Sequence, residues 1–353
     1  MATGQSSASV TMRRALVEPS AGVRLEEVLV PAPAPGDVLV RSKLVGICGS
    51  DTHALAGHHP FLTGPYIPGH EATGVVEALG SGVAGFTVGQ RVLLKPNVAC
   101  GTCANCVAGR TNACESLAWI GCDTSRVLSG AMAGYFVAPA RNLYVVPDSL
   151  GDEEATLVEC LATPVHAARI AGDLTGTRVV VLGAGTIGLL CVVAALDAGA
   201  GAVVVTDMEQ SKIDRAVRCG ARDGVLASAP ELAQDVRSVL GGPADVVFDC
   251  VANERSLAQA VGLLRRAGTI LVVGVPPQPA AINLPFIQDW ELRVQGCAAY
   301  TETDMLKAIE IAVGGGMPVA ELVSRSYGLD DVAEAFAAAS SDTSGKVMVS
   351  PES

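Results

Sequence analysis

The chain carries two hydrophobic rhythms. From about Met12 to Asp148 the apolar positions come in short runs: VLVRSKLVG, GVVEALG, QRVLLKP, YFVAP and LYVVP. Glycine and proline punctuate them, which predicts short antiparallel strands in a partly barrel-like β domain. From about Ala162 to Gly296 the rhythm changes to near-continuous apolar strands, RVVVLG, AVVVTD, DVVFDCV and TILVVGV, with intervening stretches long enough for crossover helices. That alternation predicts a parallel, doubly wound sheet. Beyond it, TETDMLKAIEIAV and LDDVAEAFAAA show helical amphipathic spacing, and GKVMVS reads as a closing strand. No internal repeat or low-complexity tract interrupts the pattern.

One run needs a decision. VVVLGAGTIGLLCVVAAL, Val179 to Leu196, is uncharged over eighteen residues, long enough to raise a membrane span. Gly183, Gly185 and Gly188 divide it into a β-branched strand, a tight turn and a helix, so it reads as soluble core.

Composition sharpens the picture. A chain of 353 residues exceeds the usual size of one compact core, so two domains are expected. Half of the residues are hydrophobic and 17% are charged, a globular balance. The formal net charge of −12 argues against nucleic acid or an anionic membrane as partner, since both demand a cationic face. MATGQSSASVTMRR has no apolar signal-peptide core and reads as a short loose lead-in. A cytoplasmic setting is therefore expected, where clustered thiols bind metal more often than they form disulfides.

Chemistry enters with the glycines. Gly183-x-Gly185-x-x-Gly188 lies between a predicted strand and a predicted helix, and the next strand ends in Asp207, nineteen residues after Gly188. Such a loop lets the backbone approach a pyrophosphate, with Thr186 and Ile187 opening the helix whose N-terminus supplies amide donors. Asp207 would accept from the adenosine ribose hydroxyls and repel a 2′-phosphate, which favours NAD over NADP.

CGTCANCVAGRTNAC holds Cys100, Cys103, Cys106 and Cys114 in a Cys-x2-Cys-x2-Cys-x7-Cys array. Four thiolates at this spacing suit one tetrahedral ion and leave no open position, so a structural zinc is expected rather than an iron–sulfur cluster or paired disulfides. A second constellation lies apart from it. GICGSDTH supplies Cys48, Ser50, Asp51 and His53, and IPGHEATG supplies His70 and Glu71. Three protein ligands plus an open position make a catalytic zinc, and TLVECLATPVHAA offers Glu159 and Cys160 for the missing ligand.

GICGSD, PGHEATGVV, CGTCANCVAGRTNAC and VLGAGTIG, in this order, resemble the zinc-containing medium-chain dehydrogenases, and within them the polyol (sorbitol-like) branch. The resemblance covers nearly the whole chain. It implies an α/β protein in which a GroES-like, partly barrel catalytic domain (residues 1–161 and 299–353) is joined to a Rossmann domain that binds NAD (162–298). It implies one catalytic and one structural zinc per chain, with Cys48 and His70 on the catalytic ion, Glu159 at the position of the next ligand, and Glu71 approaching or replacing a ligand. Ser50 would take the substrate proton and His53 would pass it to solvent through the cofactor ribose. Asp51 would hold the second ring nitrogen of His70. Val251, Val275 in VVGVPP and Cys297 in QGCAAY would lie against the cofactor, the last two on strands whose backbone holds the nicotinamide carboxamide. Lys346 reads either as a solvated lysine or as a residue returning near Asp51 or the cofactor phosphates.

The implied reaction is oxidation of a secondary hydroxyl of a polyol, sugar alcohol or cyclitol to a ketone, with simple alcohols or a 3-hydroxy amino acid such as threonine as the alternative. The partner is then a small hydroxylated substrate, and the protein a dimeric or tetrameric homo-oligomer. Two stretches depart from the pattern. GAMAGYFVAP is unusual where a substrate-pocket wall is expected, and HHP adds His58 and His59 near the cleft mouth.

Overall fold

In the computed structural model, residues 10–276, 278–341 and 345–352 are described. The lead-in at residues 1–9 and Pro277 of the VVGVPP run lie outside the described residues.

The first region is built around the strand Asp37–Gly46, whose valines alternate into a core with Val76, Val92, Phe136 and Val347. It pairs antiparallel with Glu71–Leu79, with Tyr135–Pro139 and with Lys346–Ser350. Its register against Glu71–Leu79 shifts twice, at Leu39/Val40 and Ser42/Leu44. Such bulges bend a strand and let a sheet curl toward a barrel. Arg91–Leu94, Leu143–Val145 and Val323–Gly328 complete a seven-stranded sheet. The closing strand therefore places residue 346 beside the ends of the strands that lead into Cys48 and start at Glu71.

A hairpin not anticipated above, Thr11–Glu18 with Gly22–Leu29, packs beside this sheet through bridges from Arg14 to Ala133 and Val17 to Tyr66. Its apolar alternation is diluted by charge, with Arg14 paired to Glu26 at 2.7 Å on the outer side.

The second region is a six-stranded sheet that is parallel throughout. Its order is Asp223–Leu226, Ala202–Asp207, Arg178–Leu182, Ala244–Asp249, Leu264–Val272 and Arg293–Gly296. Chain order reverses between Arg178–Leu182 and Ala244–Asp249, and a doubly wound sheet opens its ligand crevice at such a point. The uncharged run at 179–196 becomes the strand Arg178–Leu182 and the helix Thr186–Asp197, both buried. Among the described residues no helix is long and apolar enough to cross a membrane.

The helix Asp152–Ala171 lies between the two sheets. Its start is set by a carboxylate reaching back, Gly151 N–H donating to Glu154 Oε2 at 2.9 Å, and by acids throughout its first turn. One apolar core runs from Leu44 and Leu93 through Leu157, Val158 and Leu161 to Val179, Leu190 and Leu271. This helix delivers Glu159 and Cys160 toward the first sheet and His166 and Arg169 toward the helix Glu302–Val313.

Candidate functional site

The four-cysteine segment forms a self-contained lobe. A short helix, Ala104–Val107, starts at Cys103, and a 3-10 turn, Thr111–Ala113, ends at Cys114. Gly101 (φ +78) and Gly109 (φ +77) take the left-handed turns that fold the segment back on itself. The four sulfurs all lie within 4.8 Å of one another, with Cys100 to Cys106 at 3.9 Å and Cys103 to Cys114 at 4.0 Å. Four sulfurs held ~2.3 Å from a tetrahedral zinc stand ~3.8 Å apart, so the spacing fits. All four cysteines are free thiols. Backbone N–H groups of Thr102 and Cys103 donate to Cys100 Sγ at 3.4 Å each and pull its thiol down to about 6, toward the thiolate that binds metal.

The other constellation is assembled from distant segments. Cys48 caps the helix Gly49–Leu55, and the Asp51 carboxylate reaches back to accept its N–H at 3.0 Å. The C-G-S-D order thus forms a capping box that orients Cys48. His70 and Glu71 arrive on the loop entering Glu71–Leu79. Cys48, His70 and Glu71 present ligand atoms within 4.8 Å of one another, and Glu71, Glu159 and Cys160 form a second such set. Glu71 belongs to both.

The acids are held differently. Glu71 Oε1 accepts from Lys346 Nζ at 2.7 Å, and both residues are buried. Its Oε2 is buried without a partner among the described residues, a ligand atom left over for a cation. Glu159 Oε1 accepts from Tyr300 Oη at 2.7 Å. Burial, more than any neighbour, raises Glu159 to about 7. Burial also works to raise Glu71, but the Lys346 ammonium and His70 outweigh it and hold Glu71 below the usual carboxylate range. Burial keeps the Cys160 thiol well above the ordinary value. Gly46 makes room for the pair, since a methyl there would fall 2.2 Å from Glu71 Oε2.

Four placements differ from expectation. Lys346 is neither solvated nor beside Asp51. It is 5% exposed, and it donates to Glu71 and to the Ile47 carbonyl because its strand closes the first sheet. Asp51 spends its hydrogen bonds on Cys48 N–H and on Tyr66 Oη at 2.9 Å rather than on the His70 ring. The ring atom Nδ1 of His70 instead meets Cys122 Sγ at 3.5 Å, although the Asp51 carboxylate lies within 4.8 Å of both. The start of GAMAGYFVAP lies against the loop before His70: Ala131, Met132 and Ala133 are buried, and Gly130, Ala131 and Met132 donate to the carbonyls of Ile67, Gly69 and Pro68, while Gly130 and Ala133 also line a cavity of about 280 Å³ with Arg14 and Arg126 that includes none of Cys48, His70 and Glu71. The departure therefore braces the loop that carries His70. His59 Nδ1 accepts from Phe61 and Leu62 N–H and shapes its own turn, while His58 is exposed. Ser50 is half-buried on the first turn after Cys48, and His53 is exposed one turn further on.

Cys122, Tyr66 and Tyr300, together with Trp119, which stands edge-on to His70 at 6.4 Å between ring centroids, carry no spacing signal. Tyr66 and Tyr300 are fully buried polar aromatics, and a phenol with no water to bond is the one hint that each has a buried partner.

In the second region Gly183 (φ +91) turns the chain out of its strand, and Gly188 packs so closely that an added methyl would sit 1.8 Å from the Gly183 carbonyl. Around Gly185 the space is open. Thr186 and Ile187 begin the helix with Gly185 at its N-cap, and the first N–H groups of a helix have no partner within it. Asp207 accepts from Ala184 N–H at 2.7 Å and from Glu209 N–H at 3.1 Å, which fixes its carboxylate at the loop's edge. Asp249 shapes the opposite wall by accepting from Val251 and Ala252 N–H. Val251 stands across from Gly183, where a methyl would meet it at 2.8 Å, and Val275 is half exposed. Cys297 departs from the expectation in part: its thiol is buried and its own N–H is taken by the Val272 carbonyl.

Two family models match the chain. The alcohol dehydrogenase GroES-like domain covers residues 34–148, and the zinc-binding dehydrogenase domain covers 186–313. The sorbitol dehydrogenase of Bacillus subtilis (strain 168) is 32% identical over 331 residues, covering 92% of each chain. The L-threonine 3-dehydrogenase of Deinococcus deserti is 32% identical over 337 residues, covering 94% of this chain and 96% of its own. Among solved structures, a zinc-binding dehydrogenase from Sinorhizobium meliloti 1021 bound to NADP superposes with a TM-score of 0.89 at 30% identity, covering 97% of this chain and all of that one.

Proposed function

The chain belongs to the zinc-containing medium-chain dehydrogenase/reductase family, in its polyol branch, and on that premise we propose that this oxidoreductase converts a secondary hydroxyl on a polyhydroxylated chain or ring to a ketone with NAD. The observation that carries this reading is the pair of buried carboxylates, Glu71 and Glu159, beside Cys48 and His70. A site with two carboxylates is harder and richer in oxygen than one built on thiolates, and it suits a substrate whose neighbouring hydroxyls also reach the metal or its water.

Zinc in this site would supply Lewis acidity, lowering the pKa of a bound hydroxyl toward ~7. Cys48, His70 and Glu71 would hold it, with Glu159 as the further ligand. Lys346 keeps Glu71 anionic and fixes one of its oxygens, so that the other is free to bind. Tyr300 fixes one oxygen of Glu159. Cys122 and Trp119 fix the His70 ring. Ser50 receives the substrate proton, and His53, exposed one turn away, releases it to solvent. NAD, the hydride acceptor, would lie with its pyrophosphate on Gly183 to Gly188, its ribose hydroxyls on Asp207, and its carboxamide against the backbone near Val275 and Cys297. The catalytic unit comprises 1–161 with 299–353 and the coenzyme unit 162–298, in a cytoplasmic homo-oligomer.

The test is a panel of sugar alcohols, inositol-like cyclitols, threonine, 2-butanol, ethanol and benzyl alcohol, read as kcat/KM from NADH formation. A polyol should lead by at least tenfold, ~1.4 kcal/mol of transition-state binding. A lead for threonine, favoured by the match to the Deinococcus deserti enzyme, would move the assignment to a 3-hydroxy amino acid. A lead for simple alcohols would remove the polyol reading.

A further inference from the structure

The chain has eleven cysteines, all free thiols. Seven belong to the four-cysteine lobe or lie at the candidate metal cluster. Two of the remaining four meet each other. Cys191 Sγ and Cys250 Sγ stand 3.7 Å apart, brought together across 59 residues of chain. Cys297 instead donates its S–H to the Thr163 carbonyl at 3.8 Å.

The contact sits beneath the glycine loop. Cys191 lies on the helix Thr186–Asp197, one turn after Gly188 and on the same face, and it is fully buried. Cys250 directly follows the strand Ala244–Asp249. Its N–H donates to the Leu182 carbonyl at 3.0 Å, so it extends the pairing with Arg178–Leu182 at the point where chain order reverses. Cys250 is only half-buried, which makes it the member of the pair open to a small oxidant. Contact with Cys250, and then burial, hold the Cys191 thiol well above its ordinary range, which leaves Cys250 as the nucleophile. The surroundings are tight. A methyl on Gly183 would fall 2.8 Å from Val251 Cγ2 and 3.8 Å from Cys250 Cβ, and one on Gly274 would fall 2.7 Å from the Cys250 carbonyl oxygen. The Asp249 carboxylate accepts from Val251 and Ala252 N–H at 3.0 and 2.9 Å and from Ser256 Oγ at 2.8 Å, locking the turn that carries the half-buried sulfur. A displacement of Cys250 therefore passes to Gly183 rather than being absorbed.

We propose that Cys191 and Cys250 form a redox modification site: a peroxide converts their contact into a disulfide, and the disulfide weakens coenzyme binding. In the first step the Cys250 sulfur attacks a peroxide oxygen, the O–O bond breaks, and Cys250 sulfenic acid and one water are formed. In the second the Cys191 sulfur attacks Cys250 Sγ and the S–O bond breaks. The oxygen leaves as a second water, carrying the Cys191 proton. The two thiols together give up two electrons, and hydrogen peroxide is reduced to two waters. The new bond draws the helix that opens the coenzyme loop toward the turn at Val251, against Gly183, where there is no slack. The inference rests on the coenzyme reading given above.

The test treats the full-length zinc protein with hydrogen peroxide at a dose that releases no zinc, then alkylates it and maps its peptides by mass. Two peptides joined through Cys191 and Cys250 should appear, together two hydrogens lighter than their reduced forms. Calorimetry on the same sample should show the Kd for NAD raised at least fivefold. A phosphine reductant should reverse both changes. Cys191→Ala, or Cys191→Val where the smaller residue loosens the fold, should bind NAD as the untreated parent does, before and after peroxide. Absence of the joined peptides, a change in Kd under fivefold in spite of them, no recovery on reduction, or a fivefold loss of NAD affinity in the peroxide-treated Cys191 variant would each overturn this inference alone. A reduced parent that binds neither NAD nor NADP would overturn the coenzyme reading, and this inference with it.

Discussion

The two cysteine-bearing regions are built on opposite plans. The lobe at Cys100 to Cys114 draws all four sulfurs from fifteen consecutive residues. It is partly exposed, and its polar groups are satisfied by its own backbone N–H groups. The cluster around Cys48 draws on the loop before Gly49–Leu55, the loop before Glu71–Leu79, the middle of Asp152–Ala171, the turn at Cys122, the segment ending at Tyr300 and the final strand at Lys346. It is largely buried, and its two acids are held by residues remote in sequence, Glu71 by Lys346 and Glu159 by Tyr300. A local site of this kind depends on its own turns and its ion. A site gathered from across the chain depends on the whole fold, and each of its members can be removed with a different consequence.

The largest effect should come from breaking the dispersed site at a ligand. Cys48→Ser is expected to lower kcat/KM by ~10³ or more while leaving the thermal midpoint within a few degrees, since the lost interaction acts on the reacting oxygen rather than the core. Zinc analysis should show two ions per chain in the parent and one in this variant. Retention of two ions with full activity would remove Cys48 from the site.

Lys346→Met sharpens the contrast from the side of stability. Removing one partner of a buried pair strands the Glu71 charge, at a cost of ~3–5 kcal/mol, and chemical denaturation should report a loss of that size. An unchanged midpoint would mean that Glu71 has another source of compensation.

Cys103→Ser addresses the local site. Zinc should again fall to one ion per chain, but here the loss should appear in folding yield and thermal stability, with the remaining ion and most of the activity of correctly folded protein retained. Asn112 links the lobe to the rest of the chain through the Ala298 carbonyl at 3.1 Å and His166 at 3.3 Å. A rise in KM for NAD is therefore the expected secondary effect.

Asp207→Ser should narrow the preference for NAD over NADP by roughly 10- to 100-fold in kcat/KM, because the wild-type carboxylate sets a like charge against the 2′-phosphate. Equal efficiency with both cofactors in the parent would defeat that account, and the NADP found in the Sinorhizobium meliloti structure makes the measurement decisive.

Tyr300→Phe should have the smallest effect. It removes one donor from buried Glu159 and should cost ~1–3 kcal/mol, seen as lower kcat with an intact zinc count. No change in kcat or stability would show that Glu159 does not need the phenol.

The sequence by itself determined whatever is encoded at short range. Four cysteines within one turn-rich segment can meet only each other, so spacing was enough to locate their site. Gly183 to Gly188 between strand and helix, with Asp207 closing the next strand, is likewise a property of one βαβ unit, because backbone sterics and strand length place those residues without help from elsewhere. The parallel, doubly wound class of the second sheet followed from four apolar runs that only a sheet covered on both faces can bury, whereas its strand order and its edge strands, Asp223–Leu226 and Arg293–Gly296, did not. Tertiary structure decided the rest. Lys346 had no neighbour in sequence to reveal that it would be buried on Glu71; the antiparallel pairing of Lys346–Ser350 with Asp37–Gly46 brings them together across 275 residues. The meeting of Cys122 with His70, of Tyr300 with Glu159 and of Tyr66 with Asp51 arises in the same way. Each is a hydrogen bond worth little in water, where solvent competes for both partners. Each becomes compulsory only once the fold has excluded that solvent, and which residues share a dry interior is a property of the assembled chain.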